Sequence, residues 1–345
     1  MAQTAIIEVD RPPERTRRRR AVGLVLAVTI LLAVLLLSIM VGSKQLLPGE
    51  ILQAIFAPTG SESDRIVLEL RLPRTLSALV VGAALGVSGA LIQAFTRNPL
   101  GDPGILGVNA GASLGVAIGV AMFGTRLPTQ HLGFAFAGAL LAALAVLFIG
   151  AVGRSADPIR LTLAGVAIAA VLAGITTAMT LLDPITFNQM RGWEAGTFVE
   201  RDLDAILPAV PFIVVGLIIA LVCARSLNAL GLGDDLAAAL GTHVGRTRVM
   251  SIVAITLLAG AATAIAGPIA FVGLMVPHVA RWIVGPDQRW ILPYSIVLAP
   301  IVLLVADIIG RVILWPSEVP VGVVTAFVGA PVLIWLVRRR KASGL

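Results

Sequence analysis

The chain has 345 residues, of which 58% are hydrophobic and only 13% are charged, and its mean hydropathy is +0.97. One globular core cannot hold so many apolar side chains, which excludes a soluble protein and predicts an all-α integral membrane protein. The formal net charge of +7 does not call for nucleic acid as a partner, because Lys and Arg concentrated in cytoplasmic loops have the same effect.

The first element is a basic stretch followed by an apolar segment. Residues 1–20 end in "RTRRRR" and form a predicted cytoplasmic arm, whose arginines also suit contact with anionic lipid. The uncharged segment Ala21 to Val41 is longer than the apolar region of a signal peptide, and no clear A-x-A cleavage site follows it. We therefore expect it to remain as the first membrane helix, surrounded by the lipid bilayer.

Hydropathy predicts about ten membrane-spanning helices within one transmembrane domain, residues 21–341, followed by a short tail, residues 342–345. An even number of spans places both termini on one side, and with that side inside, eighteen of the 26 Lys and Arg residues are cytoplasmic. The predicted span centres are Leu31, Gly86, Gly115, Leu144, Val171, Leu217, Leu257, Val276, Leu303 and Phe327.

The second and third spans contain many small residues. The second, "LSALVVGAALGVSGALIQAF", carries Ser88 and Gln93, which are typical either of a helix packed on protein or of one that lines a water-filled path. In the third, glycines recur at four-residue spacing, which allows a neighbouring helix to approach closely. These predicted packing positions are Gly107, Gly111, Gly115 and Gly119.

Three arginines on the predicted outer side have two interpretations. Arg71 and Arg74 flank a proline in "RLPR", and Arg311 lies near the outer end of the ninth span. Such arginines either extend to lipid headgroups or bind carboxylates on a partner protein. Arg311 also follows Asp307 by four residues, which predicts an ion pair within one helix.

The segment "GLGDDLAAALGTHVGRTR" predicts a short water-facing helix between the sixth and seventh spans, in a cytoplasmic loop near 228–248. Gly233 or Asp234 would cap its start, Asp234 and Asp235 favour its amino terminus, and Gly241 would end it. A plain connector needs only a few residues, so the extra ordered structure indicates a cytoplasmic partner.

The sequence lacks the motifs typical of ATP binding, metal binding, catalysis and ion-coupled transport. There is no phosphate-binding G-x-x-x-x-G-K-[ST] loop, and one cysteine with three scattered histidines predicts neither a metal site nor a catalytic centre. Apart from Asp307, no acidic residue falls clearly in mid-membrane, which disfavours an ion-coupled carrier. We expect no catalytic residue and no cofactor or metal in this chain.

Five motifs occur in a fixed order: "RLPRTLSALVVGAALGVSGALIQAFTRNPLGDPGILGVNAGA", "LGDDLAAALGTHVGRTR", "GPIAFVGLMVPHVAR", "LLVADIIGR" and "EVPVGVVTAFVGAPVLIWLV". From Arg71 to Arg340 the chain closely resembles the FecCD-type permeases of bacterial ABC importers, the class that includes the cobalamin permease. The outer stretch "RGWEAGTF" has Gly196, Thr197 and Phe198 in place of the Gly-Ser-Leu of the more usual Trp-x-x-Gly-Ser-Leu.

The resemblance implies the type II ABC importer permease fold and a set of partners. These are a second permease subunit, identical or paralogous, two cytoplasmic ATPases that bind ATP and Mg, and an extracytoplasmic substrate-binding protein. The implied location is the bacterial cytoplasmic membrane.

The resemblance also implies three groups of site residues. Arg71, Arg74 and Arg311 would meet glutamates of the binding protein. The translocation path would include Ser88, Gln93, Asn109 and Thr176. Coupling to the ATPase would fall to Leu232, Gly233, Asp234, Asp235, Leu236, Ala239, Leu240, Gly241 and Arg246.

The expected cargo is a bulky iron chelate, with a ferric siderophore as the leading hypothesis. Cobalamin or haem is the alternative within the same class. The permease sequence separates these cargoes poorly, because the binding protein does most of the selecting between them. An ion-coupled secondary transporter is the alternative from another class.

Overall fold

The computed structural model describes residues 14–342, apart from 43, 45, 151–157, 200 and 315. Over those residues the chain is helical without a β-strand, which confirms the predicted all-α class. Residues 1–13 of the predicted basic arm and residues 343–345 of the predicted tail lie outside the described residues. The remainder of the arm, residues 14–20, forms the beginning of the first helix.

Fifteen α-helices are described, joined by loops and two short turns of other helical types. The turns are π-helical at Ile66–Arg71 and 3₁₀ at Pro103–Leu106. The helices are α1 (Glu14–Met40), α2 (Pro48–Phe56), α3 (Glu62–Arg65), α4 (Leu72–Thr96), α5 (Val108–Phe123), α6 (Pro128–Gly150), α7 (Pro158–Leu182), α8 (Pro184–Glu194), α9 (Leu203–Ile206), α10 (Val210–Leu230), α11 (Asp234–Ala239), α12 (Val244–Ala266), α13 (Val272–Val284), α14 (Gln288–Ile313) and α15 (Val321–Ala342).

Ten of the described helices account for the ten predicted spans. Seven are long and apolar enough to cross a membrane, α5 and α13 are shorter apolar helices, and α15 is apolar over Val321–Ile334, the part of it whose side chains are described. Every predicted span centre falls inside one of them. The remaining helices are short and lie in the connections between spans.

The second predicted span, α4, lies at the centre of the bundle. It packs against α12, α13 and α14, and most of its residues are buried while none is exposed. The helices approach so closely that a side chain at two glycines of α4 would clash. A Cβ on Gly82 would lie 2.6 Å from the backbone of Pro300, and one on Gly89 would lie 1.8 Å from the carbonyl oxygen of Gly273. The small residues of α4 therefore serve helix packing, and α1 and α7 are the more exposed outer helices.

The glycines of α5 pack on α6. A Cβ on Gly111 would lie 2.3 Å from the carbonyl oxygen of Gly138, and one on Gly115 would lie 2.1 Å from that of Phe134. Gly119 faces the Phe134 ring. Gly107 differs from these three, because it precedes α5 with φ +72° and a Cβ there would make only ordinary contacts.

Candidate functional site

A buried ionic cluster lies near one end of the bundle, around the carboxylate of Asp307. Arg74 of α4 donates to it from Nε, at 3.0 and 3.1 Å, and from Nη2 at 2.8 Å. Arg311, one turn further along α14, donates to it from Nε at 3.0 Å and also from Nη2. Arg74 also donates to Glu318 at 2.6 Å. With the neighbouring Arg71, these residues are called the Asp307 cluster.

Two arginines of the Asp307 cluster cap the carboxyl end of α1. The last four carbonyl groups of a helix have no partner within the helix. Arg71 Nη1 donates to the carbonyl oxygens of Ile39 and Met40, each at 2.8 Å. Arg311 Nη1 donates to the carbonyl oxygen of Ser38 at 2.7 Å. The cluster therefore ties the end of the first helix to α4 and α14.

The three arginines predicted to meet a partner are thus all engaged within this chain. Arg71 and Arg311 are 5% and 4% exposed, whereas the Arg74–Glu318 pair reaches the surface beside a cavity of about 530 Å³. The ion pair predicted from the spacing of Asp307 and Arg311 is confirmed. The docking role stays a prediction, and no sequence signal pointed to the capping of α1.

The predicted water-facing helix is α11, at the opposite end of the bundle. It follows Gly233, which has φ +113°, and its last turn ends before Gly241, which has φ +80°. Asp234 pairs with Arg97 at the end of α4 and with Arg248 at the start of α12, the latter at 2.6 Å. One carboxylate therefore fixes this short helix to two spans.

The outer face of the α11 region is apolar. Leu232, Leu236 and Leu240 recur at four-residue spacing and are 61%, 58% and 64% exposed. We call these three side chains the leucine face. Asp235, Ala239, Gly241 and Arg246 are exposed around it. Three bare leucines on a solvent-facing turn are unusual for a mere connector and fit a surface that a partner covers.

Each of the four predicted path residues has a hydrogen-bond partner within the single chain. Ser88 and Thr176 each donate to a carbonyl oxygen of their own helix, at 3.0 and 2.9 Å. Gln93 donates to the carbonyl oxygen of Leu274 on α13 at 2.9 Å, while Asn109 accepts from Thr263 at 2.9 Å. Their role in a path stays a prediction.

The segment that departs from the family pattern lies between the ends of α12 and α15. Gly196 has φ +67°, and a Cβ there would lie 2.6 Å from the carbonyl oxygen of Pro268. Thr197 donates its N–H to the carbonyl oxygen of Ala266 at 2.8 Å, and Phe198 is fully buried. The Gly-Thr-Phe variant therefore serves close packing in this chain.

Comparison with known proteins places the chain in a family. The model of the FecCD transport family matches residues 30–339. The ferric enterobactin transport system permease protein FepD of Escherichia coli (strain K12) is 50% identical over 95% of this chain and 98% of its own length. The Fe(3+)-citrate import system permease protein YfmD of Bacillus subtilis (strain 168) is 38% identical over 95% of this chain and 98% of its own.

A solved structure described as an inward-facing conformation of a metal-chelate type ABC transporter has the same fold. It superposes with a TM-score of 0.81 at 25% identity, covering 92% of this chain and 98% of that one. The chain is therefore a member of the FecCD transport family, and its bundle is an ABC importer permease fold.

The structure predicts that Arg311 is needed for folding. Arg311→Gln would leave Asp307 with one cation and would remove one of the two arginines that cap α1, and breaking a buried ion pair costs about 3–5 kcal/mol. We expect a large fall in the thermal unfolding midpoint of the detergent-purified protein. Arg191→Gln, at an exposed arginine, is the matched control and should unfold as wild type does. An Arg311→Gln protein of wild-type stability would contradict this role.

Proposed function

We propose that this chain is the membrane-spanning subunit of an ABC importer that carries a ferric siderophore into the cytoplasm. The observation that carries the proposal is the 50% identity to a ferric enterobactin permease over nearly the full length of both chains. The relatives named for iron chelates support the same class of cargo. The subunit has no catalysis of its own in this proposal, and ATP and Mg bind to partner ATPases.

The proposed coupling surface is the leucine face of α11 with its surrounding residues. A helix fixed to α4 and α12 through Asp234 can pass a displacement of its partner to two spans at once. Its bare leucines match the apolar contacts that a protein cleft offers. This end of the bundle is the cytoplasmic side in the proposal, which places both termini in the cytoplasm.

The proposed docking surface for the binding protein is the end of the bundle that holds the Asp307 cluster. Arg74 is the member whose charge reaches the surface, and Glu318 already occupies one of its nitrogens. A glutamate of a binding protein would take the place of Glu318 there. Arg71 and Arg311 lie buried beneath this surface and hold α1, α4 and α14 together.

Uptake of labelled iron tests the proposed cargo. Cells lacking this gene should lose energy-dependent uptake of one or more ferric siderophores, and complementation should restore it. Labelled cobalamin and haem are supplied in parallel. Loss of cobalamin or haem uptake with normal iron uptake would replace the cargo, and unchanged uptake of all three would refute the importer.

The leucine face is tested by one substitution. Leu236→Glu puts a charge in the middle of the proposed contact, so we expect about 10- to 100-fold weaker association with the ATPase subunits, from the loss of one buried leucine. Membrane insertion should be unchanged, because the side chain is exposed. Leu236→Met keeps the apolar contact and is the matched control. Equal association of both variants would contradict the coupling role.

Docking is tested at Arg74. Arg74→Gln leaves Asp307 paired with Arg311 and both capping arginines of α1 in place, so we expect a smaller loss of stability than for Arg311→Gln, and binding is compared on folded protein. We expect affinity for the binding protein to fall about 1.5- to 5-fold at low salt, as for an exposed ion pair. Glu318→Gln removes the internal competitor and should not weaken binding. An affinity unaffected by Arg74→Gln would exclude Arg74 from the interface.

A further inference from the structure

A basic cavity of about 820 Å³ lies at the α11 end of the bundle, on the side of α1. Its walls come from the ends of α4, α10 and α13 and from the starts of α1 and α14. They carry four arginines and one aspartate. The charged lining residues are Arg20, Arg97, Arg281, Asp287 and Arg289. The walls therefore hold an excess of three formal positive charges.

The one acid in the wall is already occupied. Asp287 accepts hydrogen bonds from Asn228 at 2.6 Å and from Arg289 at 3.0 to 3.2 Å. Burial acts to raise the pKa of Asp287, but these hydrogen bonds outweigh it and bring the pKa below its ordinary value. Asp287 thus stays ionised and orients Arg289 without cancelling the charge of the other arginines. Arg97 is shared with Asp234 of α11.

A hydrogen bond to its backbone carbonyl group holds Arg20 at the rim of this cavity. The Tyr294 hydroxyl donates to the carbonyl oxygen of Arg20 at 2.8 Å, and Gly23, one turn later, leaves room for that hydroxyl group. The Arg20 guanidinium lies beside Gly285, in the turn between α13 and α14. The first helix therefore delivers a cation to a defined place, although its neighbours Arg17 to Arg19 are exposed.

An apolar track of exposed side chains follows Arg20 along the outward face of α1. Val22, Val25 and Leu26 on α1 are 61%, 67% and 59% exposed. A second cavity, of about 600 Å³, is lined by Arg18, Arg19, Val22 and Gly23. Cationic groups at the end of a span, with bare aliphatic side chains beside them, match a molecule that has an anionic head and apolar chains.

We propose that the cavity lined by Arg20, Arg97, Arg281 and Arg289 binds the phosphate headgroup of an anionic phospholipid, whose acyl chains lie along the exposed face of α1. Basic pockets between helices on the cytoplasmic side are the known form of such sites. The apolar track favours a lipid over free phosphate. It also favours a lipid over an acidic surface of the ATPase, for which the neighbouring leucine face offers the apolar contact.

Native mass spectrometry of the detergent-purified full chain tests the site. Cardiolipin, phosphatidylcholine with the same acyl chains, and inorganic phosphate are titrated separately. We expect cardiolipin to bind in preference to phosphatidylcholine, and Arg20→Gln with Arg289→Gln to weaken cardiolipin binding about 5- to 30-fold. The matched control, Arg126→Gln with Arg191→Gln, removes two exposed arginines at the other end and should not change binding.

Three results would overturn the proposal. Cardiolipin binding that is equal in the test variant and the control would place the lipid elsewhere. Inorganic phosphate that binds as tightly as cardiolipin would make this a small-anion site. Unchanged lipid binding with impaired ATPase association in the test variant would assign the cavity to the ATPase interface. Thermal unfolding of both variants identifies any loss that comes from misfolding.

Discussion

The carboxylate of Asp307, buried between the guanidinium groups of Arg74 and Arg311, is the interaction on which one end of the bundle depends. A buried carboxylate is costly unless cations and hydrogen bonds satisfy it, and here two arginines do so. Arg311 and Arg71 also donate hydrogen bonds to the carbonyl groups at the end of α1, which have no partner within the helix. Within a membrane such groups must find partners inside the protein.

A carboxylate between two arginines also occurs at the opposite end of the bundle, where it connects different elements. Asp234 again binds two arginines, Arg97 and Arg248, but it lies on a short exposed helix and not in a span. The Asp307 cluster joins three spans rigidly, whereas Asp234 connects a water-facing helix to two spans. In the proposed importer, force enters at the Asp234 end, and docking occurs above the Asp307 cluster.

Much of the architecture could be predicted from the sequence. Long apolar runs specify spans through length alone, so the ten centres each fall within a helix. The spacing of Asp307 and Arg311 predicted their ion pair because helical periodicity is local. Gly233 and Gly241 predicted the limits of α11 because glycine readily adopts the positive φ that both residues have.

The partners of the arginines could not be predicted, because they come from distant parts of the chain. Arg71 binds carbonyl groups about thirty residues earlier, and Arg74 binds an acid more than two hundred residues later. Backbone acceptors leave no mark on the sequence. The residues alone therefore left Arg71, Arg74 and Arg311 with two interpretations, contact with lipid headgroups or with carboxylates of a partner, and the structure adds capping and burial.

In the proposed importer, this chain carries an iron chelate across the membrane with energy from ATP hydrolysis on partner chains. The most direct test is accumulation of a radiolabelled ferric siderophore in proteoliposomes that contain this chain, its partner permease and the ATPases, with the binding protein added outside. We expect accumulation that requires internal ATP and stops when the ATPases carry an inactivating substitution. Accumulation driven by an imposed proton or sodium gradient, without ATP or ATPases, would contradict it.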